Sequence, residues 1–138
     1  MTADEIMTDD VTTIEETSTL AQAVEIMEER GIRHLPVVRG SELVGMLSDR
    51  DLRGYGVSLV SDVETLERLQ ARLGAPVTNA MSSDVIRVRP STDVGEVVDL
   101  LLEEQIHAVP VVDDDTDTLV GIVSTVDILR AMRDRLAD

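Results

Sequence analysis

At 138 residues the chain has room for one ordinary domain or two very small ones, and 43% hydrophobic residues are enough for a core. No apolar run is long enough to span a membrane, and the absence of cysteine excludes disulfides and thiolate metal centres. The 28 acidic residues against 12 basic ones give a net charge of −16, which repels nucleic acid phosphates and anionic lipid.

Arginine supplies every basic residue and lysine is absent. So acidic a surface suits a cytoplasm with molar salt, where screening tames self-repulsion, and reads as halophile adaptation, although high-GC codon bias alone would explain the missing lysine. The start, Met1-Thr2-Ala3-Asp4-Glu5, lacks the basic head and apolar core of a signal peptide, so a cytoplasmic location is expected. Tyr55 is the only aromatic residue, which removes the stacking platforms of single-strand binders.

Along the chain, residues 11–14 form a short extended run. Thr17-Ser18 offers an N-cap, and Leu20, Ala23, Val24 and Met27 recur at helical spacing until Gly31 stops the turn. Leu35-Pro36-Val37-Val38 reads as a strand whose proline marks its start or an edge. A turn at residues 39–42 leads into a strand over residues 43–47. Ser61-Asp62-Val63-Glu64 has capping-box spacing and opens a helix to about Leu73, with Gly74 as C-cap and Leu66, Leu69 and Leu73 on one face. Then the pattern recurs. Val94, Val97, Val98 and Leu101 form the second helical stripe, and residues 113–118 make an acidic turn. A last helix begins near Ser124-Thr125 and carries Ile128, Leu129, Met132 and Leu136.

The recurrence is literal. Met7-Thr8 returns as Met81-Ser82, 74 residues on, and Val24, Glu29, Ile32, Pro36, Val37 and Val38 return at that offset as Val98, Glu103, Ile106, Pro110, Val111 and Val112. A turn two residues longer in the second copy moves the offset to 76, at which Leu43, Val44, Gly45, Ser48 and Asp51 match Leu119, Val120, Gly121, Ser124 and Asp127. The division expected is residues 1–60 as the first repeat, 61–75 as a linker helix and 76–138 as the second. A repeat of this size has too small a core alone. Two copies about a pseudo-two-fold axis would hide both sheets and create two equivalent grooves, where function is expected.

Gly45-Met46-Leu47-Ser48-Asp49-Arg50-Asp51-Leu52 and Gly121-Ile122-Val123-Ser124-Thr125-Val126-Asp127-Ile128 share one pattern: glycine, two apolar residues, a hydroxyl, two variable positions, aspartate, then an aliphatic residue. With the strands Leu35-Pro36-Val37-Val38 and Val109-Pro110-Val111-Val112, and the openings at Met7-Thr8 and Met81-Ser82, the chain resembles a tandem CBS-domain protein, a stand-alone Bateman module. The resemblance covers most of the chain and implies an α/β (α+β) fold of two β-α-β-β-α repeats.

It also implies ligand contacts. Asp51 and Asp127 would accept hydrogen bonds from the two ribose hydroxyls of an adenosyl ligand. Ser48 and Ser124 would lie near the ribose or α-phosphate, while Thr12 and Ile86, on the first strands, would border the adenine. In related pairs each groove draws its first strand from one copy and its Ser/Asp from the other. Pro36 and Pro110 mark the strands that line the grooves. Arg33 and His34 in the first copy, and His107 in the second, stand where family members reach phosphate. Arg50 and Arg53 add charge to the first copy, whereas Ala108 replaces the second basic residue in the other, so the grooves need not bind alike.

A plainer reading of the same residues stands beside this one. Ser-x-x-Asp at a strand-to-helix junction is also a capping box, and an arginine beside a helix C-terminus is often a dipole partner. Two histidines do not make a metal centre, and the acidic turn lacks calcium-loop spacing, so it reads as a solvated hairpin tip. Met7, Met27, Met46, Met81 and Met132 read as core filling.

No nucleophile beside a base, Walker loop or dinucleotide glycine motif is present, so an enzyme is not expected. The expected function is a sensor whose ligand is AMP, ADP, ATP, S-adenosylmethionine or NAD, with no covalent cofactor, no nucleic acid and no membrane. It would pass its state to a separate, unnamed protein partner. A purely structural interaction module without ligand affinity is the alternative. Family pairs associate through their helices, so a homodimer is expected, with apolar faces at residues 94–102 and 128–136.

Overall fold

A computed structural model of the chain describes residues 1–57 and 66–137. The elements run α1 (Ala3–Ile6), β1 (Ile14–Glu15), α2 (Leu20–Arg30), β2 (His34–Arg39), β3 (Glu42–Ser48), α3 (Asp49–Gly54) and α4 (Leu66–Leu73). A 3-10 turn at Val77–Asn79 follows, then α5 (Val94–Glu104), β4 (Ala108–Val112), β5 (Leu119–Ser124) and α6 (Thr125–Leu136). The capping box expected at Ser61-Asp62-Val63-Glu64 lies outside the described residues.

The compact units do not follow the order of the chain. One comprises Thr12–Val85 and the other joins Met1–Val11 to Ile86–Asp138. The opening segment of each sequence copy therefore packs with the body of the other copy.

In the Thr12–Val85 unit, β2 pairs antiparallel with β3 and parallel with the two-residue β1. The extended run expected at residues 11–14 becomes a ladder only at Ile14, opposite Val37. Pro36 explains the late start, because it has no amide to offer and the ladder begins at the next residue. Pro36 lies inside β2 rather than at its start. It faces Met46, whose amide and carbonyl both turn away to pair with Ser82 (2.9 Å each), so no ladder bond is lost. The N-cap of α2 is Thr19, one residue beyond the Thr17-Ser18 expected, because Gln22 three residues on completes its capping box. Gly31 closes α2 with φ 63°, a left-handed turn that glycine adopts without strain. Leu20, Ala23 and Met27 pack from α2 onto Leu35, Val37 and Leu47, with Leu52, Val57 and Val77 completing the core. Helix α4 packs along α2, and its Leu73 reaches this core.

The other unit repeats the plan. β4 pairs antiparallel with β5, and a single parallel bridge, Val88 to Val111, stands where β1 stood. Both hairpins shift register at the same place, between Val37 and Val38 and between Val111 and Val112. The core is Val97 and Leu101 of α5 with Val88, Val109, Val111 and Val123, closed by Ala3 of α1. The acidic turn at residues 113–118 is mostly exposed, and Arg89 binds it by donating to the carbonyls of Asp113 and Thr116.

Candidate functional site

Each Gly-x-x-Ser-x-x-Asp motif forms the junction between a strand and a helix, and the two junctions are built alike. Ser48 and Ser124 are the N-caps of α3 and α6. The Asp51 amide donates to Ser48 Oγ at 3.1 Å, and Asp51 Oδ2 accepts from the Ser48 amide at 2.9 Å. The Asp127 amide donates to Ser124 Oγ at 3.2 Å, and Asp127 Oδ2 accepts the Ser124 amide at 2.8 Å and its hydroxyl at 3.0 Å. The capping reading is thus realised in both copies. It occupies one carboxylate oxygen of each aspartate and fixes the rotamer.

The other oxygen meets a hydroxyl from the opening segment of the other copy. Ser82 Oγ lies 3.5 Å from Asp51 Oδ1, and Thr8 Oγ1 lies 3.3 Å from Asp127 Oδ1. Both distances are at the long edge of hydrogen bonding, so these oxygens keep accepting capacity. Asp127 is 8% exposed, the buried charged residue among those described. Arg130, one turn on, stands 3.9 Å from its Oδ1 and is a modest counter-charge.

Thr8 and Ser82 reach the aspartates because their segments are clamped. The Thr8 amide and carbonyl pair with Ile122, as those of Ser82 pair with Met46. Beside them, Met7 packs against Gly121 and Met81 against Gly45. The roles of Thr8 and Ser82 escaped the motif reading. Their recurrence directly after methionine, at the repeat offset, was the available signal.

The remaining expected residues divide between the units. Thr12, Arg33, His34 and Pro36 share the unit of Ser48 and Asp51, whereas Ile86, His107 and Pro110 share that of Ser124 and Asp127. Thr12 and Ile86 lie just ahead of the parallel pairings rather than on strands, for the reason given at Pro36. Pro36 and Pro110 are buried inside β2 and β4. His34 opens β2 opposite Ser48 in register. Arg33 is exposed and donates to Asp49 Oδ2 at 2.9 Å, and Arg53 stands 3.8 Å from the same oxygen. Asp49, a variable position of the motif, thereby gathers the cationic rim of the first copy. In the second copy Thr125 takes that place: its amide donates to the His107 carbonyl at 2.9 Å, as the Asp49 amide does to the Arg33 carbonyl at 3.0 Å, but its side chain gathers no arginine and its hydroxyl donates to the same His107 carbonyl at 3.2 Å. The first rim gathers two arginines on Asp49, whereas the second has Arg130 beside Asp127.

The methionine reading needs one correction. Met27 is buried, and Met7 and Met81 pack on the two cores, but Met132 is 55% exposed on α6. It sits on the helix face turned away from the sheet.

Residues 3–58 and 77–134 each match the CBS domain family, and the chain belongs to it. It is 30% identical over 122 residues to the CBS domain-containing protein YhcV of Bacillus subtilis, covering 88% of this chain and 79% of YhcV. In other relatives it corresponds to a part. It spans 47% of protein MJ1225 and 23% of inosine-5'-monophosphate dehydrogenase, both from Methanocaldococcus jannaschii, at 27% and 30% identity over 91% and 93% of this chain.

Among solved structures, AcuB from Vibrio cholerae is 28% identical with a TM-score of 0.82, covering 99% of this chain and 93% of its own. CBSX2 in complex with AMP is 28% identical with a TM-score of 0.80, covering 96% of each chain. The CBS domain pair of MJ0100, in complex with 5'-methylthioadenosine and S-adenosyl-L-methionine, is 25% identical with a TM-score of 0.75, covering 96% of this chain and 99% of its own. The fold is that of a CBS domain pair, and similar pairs bind adenosyl compounds. No helix among the described residues is long and apolar enough to cross a membrane.

Proposed function

We propose that this chain is a regulatory module that binds an adenosine-containing ligand at its Ser-x-x-Asp junctions and conveys occupancy to a separate protein. The observation that carries the reading is the second carboxylate oxygen of Asp51 and Asp127. In each case the cap holds one oxygen, while the other meets a hydroxyl at the long edge of hydrogen bonding, joined at Asp127 by the Arg130 guanidinium 3.9 Å away. A ribose hydroxyl is the same kind of donor and can replace or join Ser82 and Thr8 there. The AMP, methylthioadenosine and S-adenosylmethionine bound by CBSX2 and MJ0100 support this ligand class.

Within it, AMP, ADP or ATP suits the Asp51 junction, where Arg33 and Arg53 meet on Asp49, His34 stands opposite Ser48 and Arg50 is exposed on the same short helix. The Asp127 junction offers His107 and Arg130 and suits a less charged adenosyl compound, S-adenosylmethionine included. Thr12 and Ile86 border the base, Ser48 and Ser124 the sugar, and Pro36 and Pro110 the cleft floor. The module works without catalysis, in the cytoplasm and as a homodimer. A signal follows if the ligand binds one arrangement of the protein better than another.

A structural pair without ligand affinity is the second reading, and the completed capping boxes favour it, since they give both motifs a purpose without any ligand. Thermal melting with AMP, ADP, ATP, NAD, methylthioadenosine and S-adenosylmethionine separates the two. Sensing predicts a rise that grows with the logarithm of ligand concentration, about 2.7 kcal/mol at a hundredfold excess over Kd. Asp51→Asn and Asp127→Asn keep a cap acceptor and should each remove the response of one junction. A flat result across the panel, at low and molar salt alike, leaves the structural reading.

A further inference from the structure

Three charged residues of the Thr12–Val85 unit form one cluster, and the second sequence copy replaces all three together. Asp49 Oδ2 accepts from Arg33 Nη1 at 2.9 Å and lies 3.8 Å from Arg53 Nη2. At the repeat offsets Arg33 corresponds to His107, Asp49 to Thr125 and Arg53 to Leu129. The carboxylate is present where the arginines are and absent where they are not. A place in the first turn of α3 favours an acidic residue in any case, yet α6 opens on Thr125 and does without one there. The arginines, and not the helix start alone, account for Asp49.

Asp49 is the fixed member of the cluster. Its side chain is 17% exposed, and its amide donates to the Arg33 carbonyl at 3.0 Å. The Arg33 and Arg53 side chains are 70% and 62% exposed. Ion pairs that open to water are weak and easily broken, so either guanidinium can turn to another anion while the carboxylate stays behind. Asp49 and Asp51 are two positions apart on α3 and do not share a face. Asp49 therefore does not vie with Asp51 for a sugar hydroxyl. Its rivalry is with phosphate, over the same arginines.

Charge sets the terms of that rivalry. Two arginines less one carboxylate leave the cluster with one net positive charge. Each phosphate added to adenosine makes the ligand more negative, from methylthioadenosine, which has none, through AMP to ATP. Attraction to the arginines and repulsion by Asp49 both grow along that series. With the carboxylate in place, the gain per phosphate reflects one positive charge; without it, two.

We propose that Asp49 is a specificity-determining residue, which occupies Arg33 and Arg53 in the free protein and, by competing for them, restrains the Asp51 junction from favouring polyphosphates over AMP and uncharged adenosyl compounds. The proposal rests on the adenosine-binding reading above and gives Asp49 no contact with the base or the sugar. The Asp127 junction carries neither the carboxylate nor the arginines at the matching positions and has no such restraint.

Calorimetric titration in EDTA at low salt tests this, on the full chain carrying Asp127→Asn so that one junction remains. Adding Asp49→Asn should tighten ATP by about tenfold and AMP by less, with methylthioadenosine unchanged. Asp49→Glu should restore the original ranking, and molar salt should shrink the gain. Arg33→Ala in the Asp49→Asn background should cancel most of it. Circular dichroism verifies that each variant folds. If Asp49→Asn leaves the ratio of ATP to methylthioadenosine affinity unchanged, Asp49 is a structural residue only and the proposal is overturned. Weaker ATP binding overturns it too, since the carboxylate then organises the arginines for phosphate. In both cases adenosine binding stands. If methylthioadenosine, AMP and ATP all fail to bind the Asp127→Asn chain, the ligand reading of this junction falls, and the proposal with it.

Discussion

Met7 fills the space in front of Gly121. A β-carbon on that glycine would overlap the Met7 sulfur, stand 2.9 Å from its Cγ and come within 3.1 Å of the Thr8 carbonyl. Met81 treats Gly45 the same way, with the Ser82 carbonyl 3.1 Å from the would-be carbon. The motif glycines are thus required by close approach of a neighbouring segment rather than by an unusual φ. Gly121→Ala and Gly45→Ala should each destabilise the chain by about 1–3 kcal/mol through overpacking, read from urea midpoints. Met7→Ala in the Gly121→Ala background should return part of the loss.

The serines can be separated from the aspartates. Ser124→Ala removes the acceptor for the Asp127 amide and should cost about 1 kcal/mol, with Ser48→Ala similar. Asp127→Asn keeps an oxygen for the Ser124 amide and should cost less stability while losing ligand response. Denaturant melts run with and without methylthioadenosine distinguish a cap defect from a binding defect.

Tyr55 is the only aromatic residue, and it sits at the C-terminal end of α3, four residues beyond Asp51. Its hydroxyl accepts from Asn79 Nδ2 at 3.3 Å. Ligand at Asp51 should change the tyrosine fluorescence lifetime, and Asp51→Asn should abolish the change. Ligand at Asp127 alone should leave it nearly unchanged.

Arg39 grips Glu16 with both ends of its guanidinium, at 2.6 and 3.1 Å. That hydrogen bonding, with the arginine charge, holds the Glu16 carboxyl below its ordinary value and raises Arg39. A depressed carboxylate adds stability above its unfolded pKa and loses it as pH falls through the lower folded value. Glu16→Gln should therefore lower stability slightly at neutral pH and flatten the acid limb of a melting-temperature profile. Arg39 is exposed and Glu16 only half-buried, so molar salt should weaken the difference.

Much of this was legible in the sequence because both copies spell it. Pro36 and Pro110, Gly45 and Gly121, and Asp51 and Asp127 recur in register, and each falls at a corresponding place in its unit. Local signals were less sharp. The cap of α2 shifted to Thr19 because Gln22 closes the box there, and Pro36 sits inside a strand because the opposing Met46 bonds elsewhere. What periodicity could not carry was long-range. Nothing local says that Thr8 comes to Asp127 across most of the chain, or that Asp49 would gather Arg33 and Arg53. The exposed stripe on α6 was visible as apolar residues, but only the fold tells which of them the core leaves out.

That the first eleven residues are structural kin of the second half has a practical side. Severing the backbone between Val57 and Leu66 would not yield two self-sufficient pieces, because each fragment would carry away part of the other's folding unit. Separately made, the halves should be poor folders. Mixed, they should find each other, so the protein lends itself to a split reporter whose reassembly can be tuned by whatever stabilises the whole.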